Sequence, residues 1–186
     1  PVEGDNVYAY VTFPQGTSAE QTGQAAARIE AAADKVKADI VASDPAATNV
    51  FQQMLSTVGM QPYRMEAEFA GGNYEANHFG AHKAEIHIEV APSEQRSVTS
   101  QEIVDRWREA VGKVAGASEV GFSADIFSAG KSINIQLSGP NLEILQAAAS
   151  GLKDKLGRYP GVIDISDTFK MGKREWVLGI RPEAEP

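Results

Sequence analysis

The 186-residue chain carries 17 Lys plus Arg against 25 Asp plus Glu, a formal net charge of -8, and is 42% hydrophobic. That is an ordinary globular balance, and its acidity excludes a nucleic-acid binder, which needs clustered cations to neutralise phosphates. The absence of cysteine excludes disulfides and thiol chemistry.

The length fits one large domain or two small ones. No apolar run reaches the length of a bilayer span, and no signal-peptide pattern is expected. A start at Pro1 rather than Met reads as a processed product or an excised piece.

Val7 to Phe13 alternates, with Val7, Ala9, Val11 and Phe13 on one face and Tyr8, Tyr10 and Thr12 on the other, and predicts a first strand. Ser18 and Gln21 have capping-box spacing. They open an Ala-rich helix to about Ser43, with Ile29, Ala33, Val36 and Ile40 as its buried stripe, stopped by Pro45. Thr48 to Val58 predicts a second strand. Gly59 to Ala81 reads as a long loop carrying Met60, Tyr63, Met65, Phe69, Gly71, Gly72, Tyr74 and Phe79. Such a segment either contacts something apolar or packs on its own domain.

Lys83 to Val90 alternates strictly and predicts a third strand. Thr99 and Glu102 form a second capping box, with Val98 and Ile103 placed as a hydrophobic staple. Ile103, Val104, Trp107, Val111 and Val114 recur at helical spacing. Glu119 to Ile126 alternates again. Beyond it, Ser132–Ser138 predicts a strand, Leu142 to Leu156 a helix, and Val162–Thr168 and Glu175–Arg181 two more strands.

The order is β-α-β-β-α-β followed by β-α-β-β. The fold class expected is therefore α+β, with a complete ferredoxin-like unit over 1–128 and a truncated one over 129–186. Truncation leaves the Ser132–Ser138 edge and part of a sheet face uncovered, a pairing liability, and the isolated chain is expected to pair through that edge or to hide its open face in a dimer.

Several constellations invite chemistry. His78, His82 and His87 invite a metal reading but lack metal-site spacing and read as ordinary solvated histidines. Met54, Met60 and Met65 could be soft-metal ligands or gap-filling core. Glu85, Glu89, Glu119 and Asp125 could form an acid–base pair or a solvated face. Gly71-Gly72 lacks the phosphate-loop spacing, and no catalytic triad motif occurs. No enzyme, cofactor or metal is expected.

If helices cover the apolar strand faces, the opposite side collects Tyr8, Tyr10, Thr12, Glu85, His87, Glu89, Ser123 and Asp125. This mixed wall suits an amphipathic or cationic ligand, or else is solvated or covered by another subunit.

The residues also resemble a known family. Val11-Thr12-Phe13-Pro14-Gln15-Gly16-Thr17-Ser18 is similar to the opening of a periplasmic porter subdomain of resistance-nodulation-division (RND) efflux transporters, acriflavine-resistance type. Glu89-Val90-Ala91-Pro92 through Arg96, Glu102-Ile103-Val104 and Trp107-Arg108 resemble its second half. Leu137-Ser138-Gly139, Tyr159 to Asp164 and Gly172-Lys173-Arg174-Glu175 resemble the start of the next subdomain.

The resemblance implies a piece of the second periplasmic loop of a bacterial inner-membrane pump, driven by protons and exporting small amphiphiles. In the family such pumps are homotrimers with a periplasmic adaptor and an outer-membrane channel, and the isolated piece would transport nothing. By position, Tyr8, Tyr10, Thr12, His87, Ser123 and Asp125 would line a substrate cleft. The segment from Gly59 to Ala81 would be its switch loop, with Phe69, Tyr74 and Phe79 as contacts. Ser123 and Asp125 stand where multidrug members carry bulky apolar residues, and the first strand lacks the methionines of the heavy-metal branch. A stand-alone small-molecule sensor and a structural module contacting subunits or an adaptor are the alternatives.

Overall fold

The computed structural model describes residues 3–47, 49–70, 77–124 and 133–169. Its main elements are β1 (Asn6–Thr12), α1 (Ala19–Ser43), β2 (Phe51–Met60), α2 (Pro62–Ala70), β3 (Phe79–Val90), α3 (Ser100–Val111), β4 (Glu119–Ser123) and α4 (Leu142–Leu156). The strands form one sheet in the order β2-β3-β1-β4, and each pairing is antiparallel. With α1 and α3 as the two crossovers, this is the ferredoxin-like arrangement of an α+β fold.

Period-two alternation in the strands and the helical stripes meet in one core. Val7, Ala9 and Val11 from β1 and Ile86 and Ile88 from β3 are fully buried, against Ile29, Ala33 and Val36 of α1 and Ile103, Trp107 and Val111 of α3. Each large side chain so buried contributes roughly 1.5–3 kcal/mol. Trp107 also donates its indole N–H to the Ile29 carbonyl at 2.8 Å, fastening α3 to α1.

Both expected helix starts form. Ser18 accepts from the Gln21 amide at 3.2 Å and Thr99 from the Glu102 amide at 3.0 Å. The Glu102 carboxylate pairs with Arg106 one turn on.

Three expectations are corrected. Part of the segment from Gly59 to Ala81 is not a loop: β2 runs to Met60, α2 occupies Pro62–Ala70, and β3 starts at Phe79. Proline suits the first helical position, and the cap that completes this short helix comes from Glu85, on a different element, so local spacing could not announce it. Secondly, the polar sheet face is solvated only in part: Lys83 and Glu85 are 4% and 1% exposed, whereas Glu89 on the same face is exposed.

Thirdly, residues 133–138, the described part of the predicted Ser132–Ser138 strand, and 162–168 are not strands, whereas α4 forms as expected, with Asn141 accepting from the Ile144 amide. A helix closes its hydrogen bonds internally, but a strand needs a neighbour, and these segments pair with none among the described residues. Glu175–Arg181 and the expected boundary at 128/129 lie outside the described residues, as do Asp125 and Ile126 of the fourth predicted strand.

Candidate ligand-binding face

Strand register determines which side chains lie side by side on the sheet face opposite α1 and α3. Tyr8 is flanked by His87 on β3 and Ser123 on β4, and His87 by Leu55 on β2. In the next row Tyr10 lies between Glu85 and Gly121, with Thr57 beyond Glu85. Thr12 lies between Lys83 and Glu119. Thus Tyr8, Tyr10, Thr12, His87 and Ser123 do share one face. Asp125 and Tyr74 lie outside the described residues, while Phe69 and Phe79 are 65% and 53% exposed.

The helix α2 lies across this face and was missed by sequence reasoning, which placed Tyr63 in a loop and did not single out Arg64. The signals were available: Pro62 at a helix start, then Arg64 and Glu68 at i,i+4 spacing, paired here at 2.8 Å. Glu85 holds the helix start, its two carboxylate oxygens accepting the Tyr63 and Arg64 amides at 2.7 and 2.8 Å. A negative charge at a helix N-terminus is favourable. Fully buried Gln61, just before the helix, donates to the Val11 carbonyl and the Thr12 hydroxyl at 3.0 and 3.1 Å.

Arg64 lies over the Tyr10 ring, 3.8 Å from its centre. Its two terminal nitrogens reach both oxygens of Glu119 at 3.2 Å, a bidentate fork. Gly121 makes room beneath: a Cβ there would come within 2.4 Å of the Tyr10 ring. Beside this sandwich the rings continue. Tyr8 is 6.4 Å from Tyr10 and 5.0 Å from Tyr63, and Tyr63 stacks on His87 at 4.2 Å and 15°. Asn6 bonds the other side of His87 at 2.8 Å.

Burial sets the protonation states. It raises Tyr8, partly offset by a hydrogen bond with Ser123, and raises Tyr10 against the opposing pull of Arg64. Tyr63 is pushed up to about 12, first by burial and then by Tyr8, Glu66 and Glu85. Burial would lower Arg64, but Tyr10, Glu119 and Glu68 more than compensate, so the guanidinium stays charged. Burial raises Glu85 against the pull of the Arg64 and Tyr63 amides, and lowers His87 against Glu89 and Glu66.

At neutral pH the face therefore offers protonated phenols, ring faces and carboxylates, groups suited to recognising an apolar body with a polar or cationic head. The half nearest Tyr10 and Thr12 is closed by α2. The margin toward β2 stays open, where Leu55 is 58% exposed.

No protein-family model and no curated protein matches the chain. Solved structures do. Two crystal forms of a heavy metal efflux pump share its fold, with a TM-score of 0.54 at 18% identity for form I and 0.57 at 19% for form II. Each match covers 88% of this chain but only 16% of the pump chain, so the sequence spans a small part of the length of these neighbours.

Proposed function

We propose that the chain is a periplasmic porter segment of an RND-type, proton-driven efflux pump, and that its aromatic sheet face helps capture small amphiphiles on their way out. The observation that carries this reading is the fold match over 88% of the chain, a larger share than residues 1–128 alone supply. The order of the family-like motifs supports it too. The role is binding, not catalysis. In the assembled pump the segment would work within a homotrimer that engages a periplasmic adaptor and an outer-membrane channel.

The structural neighbours are named for heavy metals, yet the residues here favour organic substrates. The sheet face presents Tyr8, Tyr10, Tyr63 and His87 in contact, whereas a soft cation calls for thiolate or thioether donors. Met54 packs against the core on the opposite side, and the chain has no cysteine. Among the described residues the thioethers nearest this face are two, Met60 opposite Phe79 at the end of β2 and Met65 on α2.

A structural reading has one observation in its favour. Gln61, Glu85 and Arg64 seat α2 so fully that the face could exist to hold the helix. One experiment separates the two. In the full-length pump, Tyr10→Ala and Phe79→Ala should raise cellular accumulation of the neutral amphiphile N-phenyl-1-naphthylamine while assembly stays normal. Unchanged export of this and other substrates would leave only the structural role.

A further inference from the structure

Residues 3–6 approach the candidate face from its margin and enter β1 under a clamp centred on Arg96, whose side chain is 1% exposed. Its guanidinium donates to the Ala91, Val98 and Gly4 carbonyls, the Ser100 hydroxyl and the Glu3 carboxylate. Glu3 also accepts the Ser100 amide at 2.7 Å, and the Val90 amide donates to the Asp5 carbonyl at 2.8 Å. The backbone that delivers Asn6 is thereby fixed.

The Asn6 side chain ends on His87, with Oδ1 2.8 Å from Nε2. An amide oxygen only accepts, so this ring nitrogen carries the proton. A neutral imidazole has one N–H, which leaves Nδ1 as a bare acceptor. Among the described residues Nδ1 makes no hydrogen bond and is not sealed from solvent. Tyr63, stacked on the ring at 4.2 Å, fixes its plane as well.

We propose that His87 is the neutral hydrogen-bond acceptor of this face, and that Asn6 is the positioning residue that makes it one. This rests on the reading of the face as a substrate-capture surface and gives that surface a polarity: an aromatic bearing a hydroxyl or N–H is preferred to its alkylated analogue. Competing acceptors are already engaged. Glu85 is taken by the Tyr63 and Arg64 amides, Glu119 by Arg64, and Thr12 by Gln61. Glu89 is exposed, and water competes for it. His87 instead stands beside Leu55 on the open margin.

Charge would undo the arrangement, because an imidazolium has two donors and no acceptor. Burial lowers the His87 pKa below 6.5 against Glu89 of its own strand and Glu66 of α2. Its other neighbours, Tyr63 of α2, Tyr8 of β1 and Leu55 of β2, are uncharged at neutral pH. The acceptor is therefore present at neutral pH and lost as pH falls through the lowered value.

Fluorescence titration of the chain with 2-naphthol and its ether 2-methoxynaphthalene at about pH 8 reads the preference. The advantage of the hydroxyl compound should shrink about three- to tenfold in His87→Phe, which keeps a ring for Tyr63, the net worth of one hydrogen bond. Asn6→Ala should lose it likewise, whereas Asn6→Asp, which keeps the acceptor oxygen, should retain it. At about pH 5 the advantage should shrink in the unaltered chain and not change further in His87→Phe. Nitrogen NMR of the imidazole should place the His87 proton on Nε2. If Asn6→Ala fails to fold by circular dichroism, Asn6→Leu replaces it.

A proton on Nδ1, or the same preference in the unaltered chain and His87→Phe, would overturn the proposal. Equal loss in Asn6→Ala and Asn6→Asp would overturn the positioning role of Asn6. If the ether binds and depends on Tyr8 while the preference is absent, the acceptor falls and the capture surface stands. Binding of neither compound removes both.

Discussion

Gly121 shows how one missing side chain shapes the face. Its backbone lies under the Tyr10 ring, and a Cβ would come within 2.4 Å of it. Gly121→Ala should therefore lift Tyr10 out of its seat, disturb the Arg64 contact and cost about 1–3 kcal/mol in urea denaturation, the usual range for overpacking. Because the clash is with one ring, the cost should shrink in a Tyr10→Ala background; an equal cost in both would place the strain elsewhere.

His87 carries a pH signature. Burial holds its pKa below the ordinary 6.5, so just below that pH the unfolded chain binds more protons than the folded one. Stability is then full above about pH 6.5 and falls as pH drops toward the folded-state pKa. Glu85 runs the other way, since its raised pKa withdraws stability as pH rises from 4.5 upward. Comparison with His87→Gln isolates the histidine: the fall in Tm from pH 7.5 to 5.5 should be shallower in the variant, and identical slopes would show that His87 contributes nothing. Tyr8, Tyr10 and His87 were legible in the sequence as sharing a face because alternation fixes side. Gly121 was not, because its role depends on a ring two strands' registers bring above it.

At the level of elements, legibility followed the range of the contacts that make each one. Helices α1 and α3 announce themselves through a local cap and an apolar stripe, and both formed with those caps. Helix α2 depends on Glu85, more than twenty residues away in sequence, and on Gln61 reaching across to β1. Its aromatic and glycine-rich surroundings gave the pattern of a loop. The consequence is testable: Glu85→Ala removes the acceptor of two amides and should selectively weaken α2. Hydrogen exchange should show the Tyr63 and Arg64 amides losing protection while β1 and β3 keep theirs. Uniform loss across the sheet would mean that α2 is not a separable unit.

For the molecule as a whole, the two parts of the chain differ in how they dispose of apolar surface. The four-stranded unit buries its stripe in one core. In residues 133–169, by contrast, α4 buries no residue, and Ile133, Ile135, Leu142, Ile144 and Ile163 are each about half or more exposed. Exposed apolar surface of this extent favours association, so light scattering on the isolated chain should report a dimer or larger species, and a strict monomer at high concentration would contradict this. Periodicity correctly placed the helix here but not the strands, whose formation depends on neighbours that a pattern in one segment does not supply.

We place ligand binding on the sheet face lined by Tyr8, Tyr10 and His87, with α2 laid across it. Amide NMR of the labelled chain during titration with N-phenyl-1-naphthylamine tests it most directly. Saturable shifts should concentrate at Leu55, Tyr63, His87 and Tyr8. Shifts confined to the outer surfaces of α1 and α3 or to residues 133–169, with the sheet face silent, would contradict it.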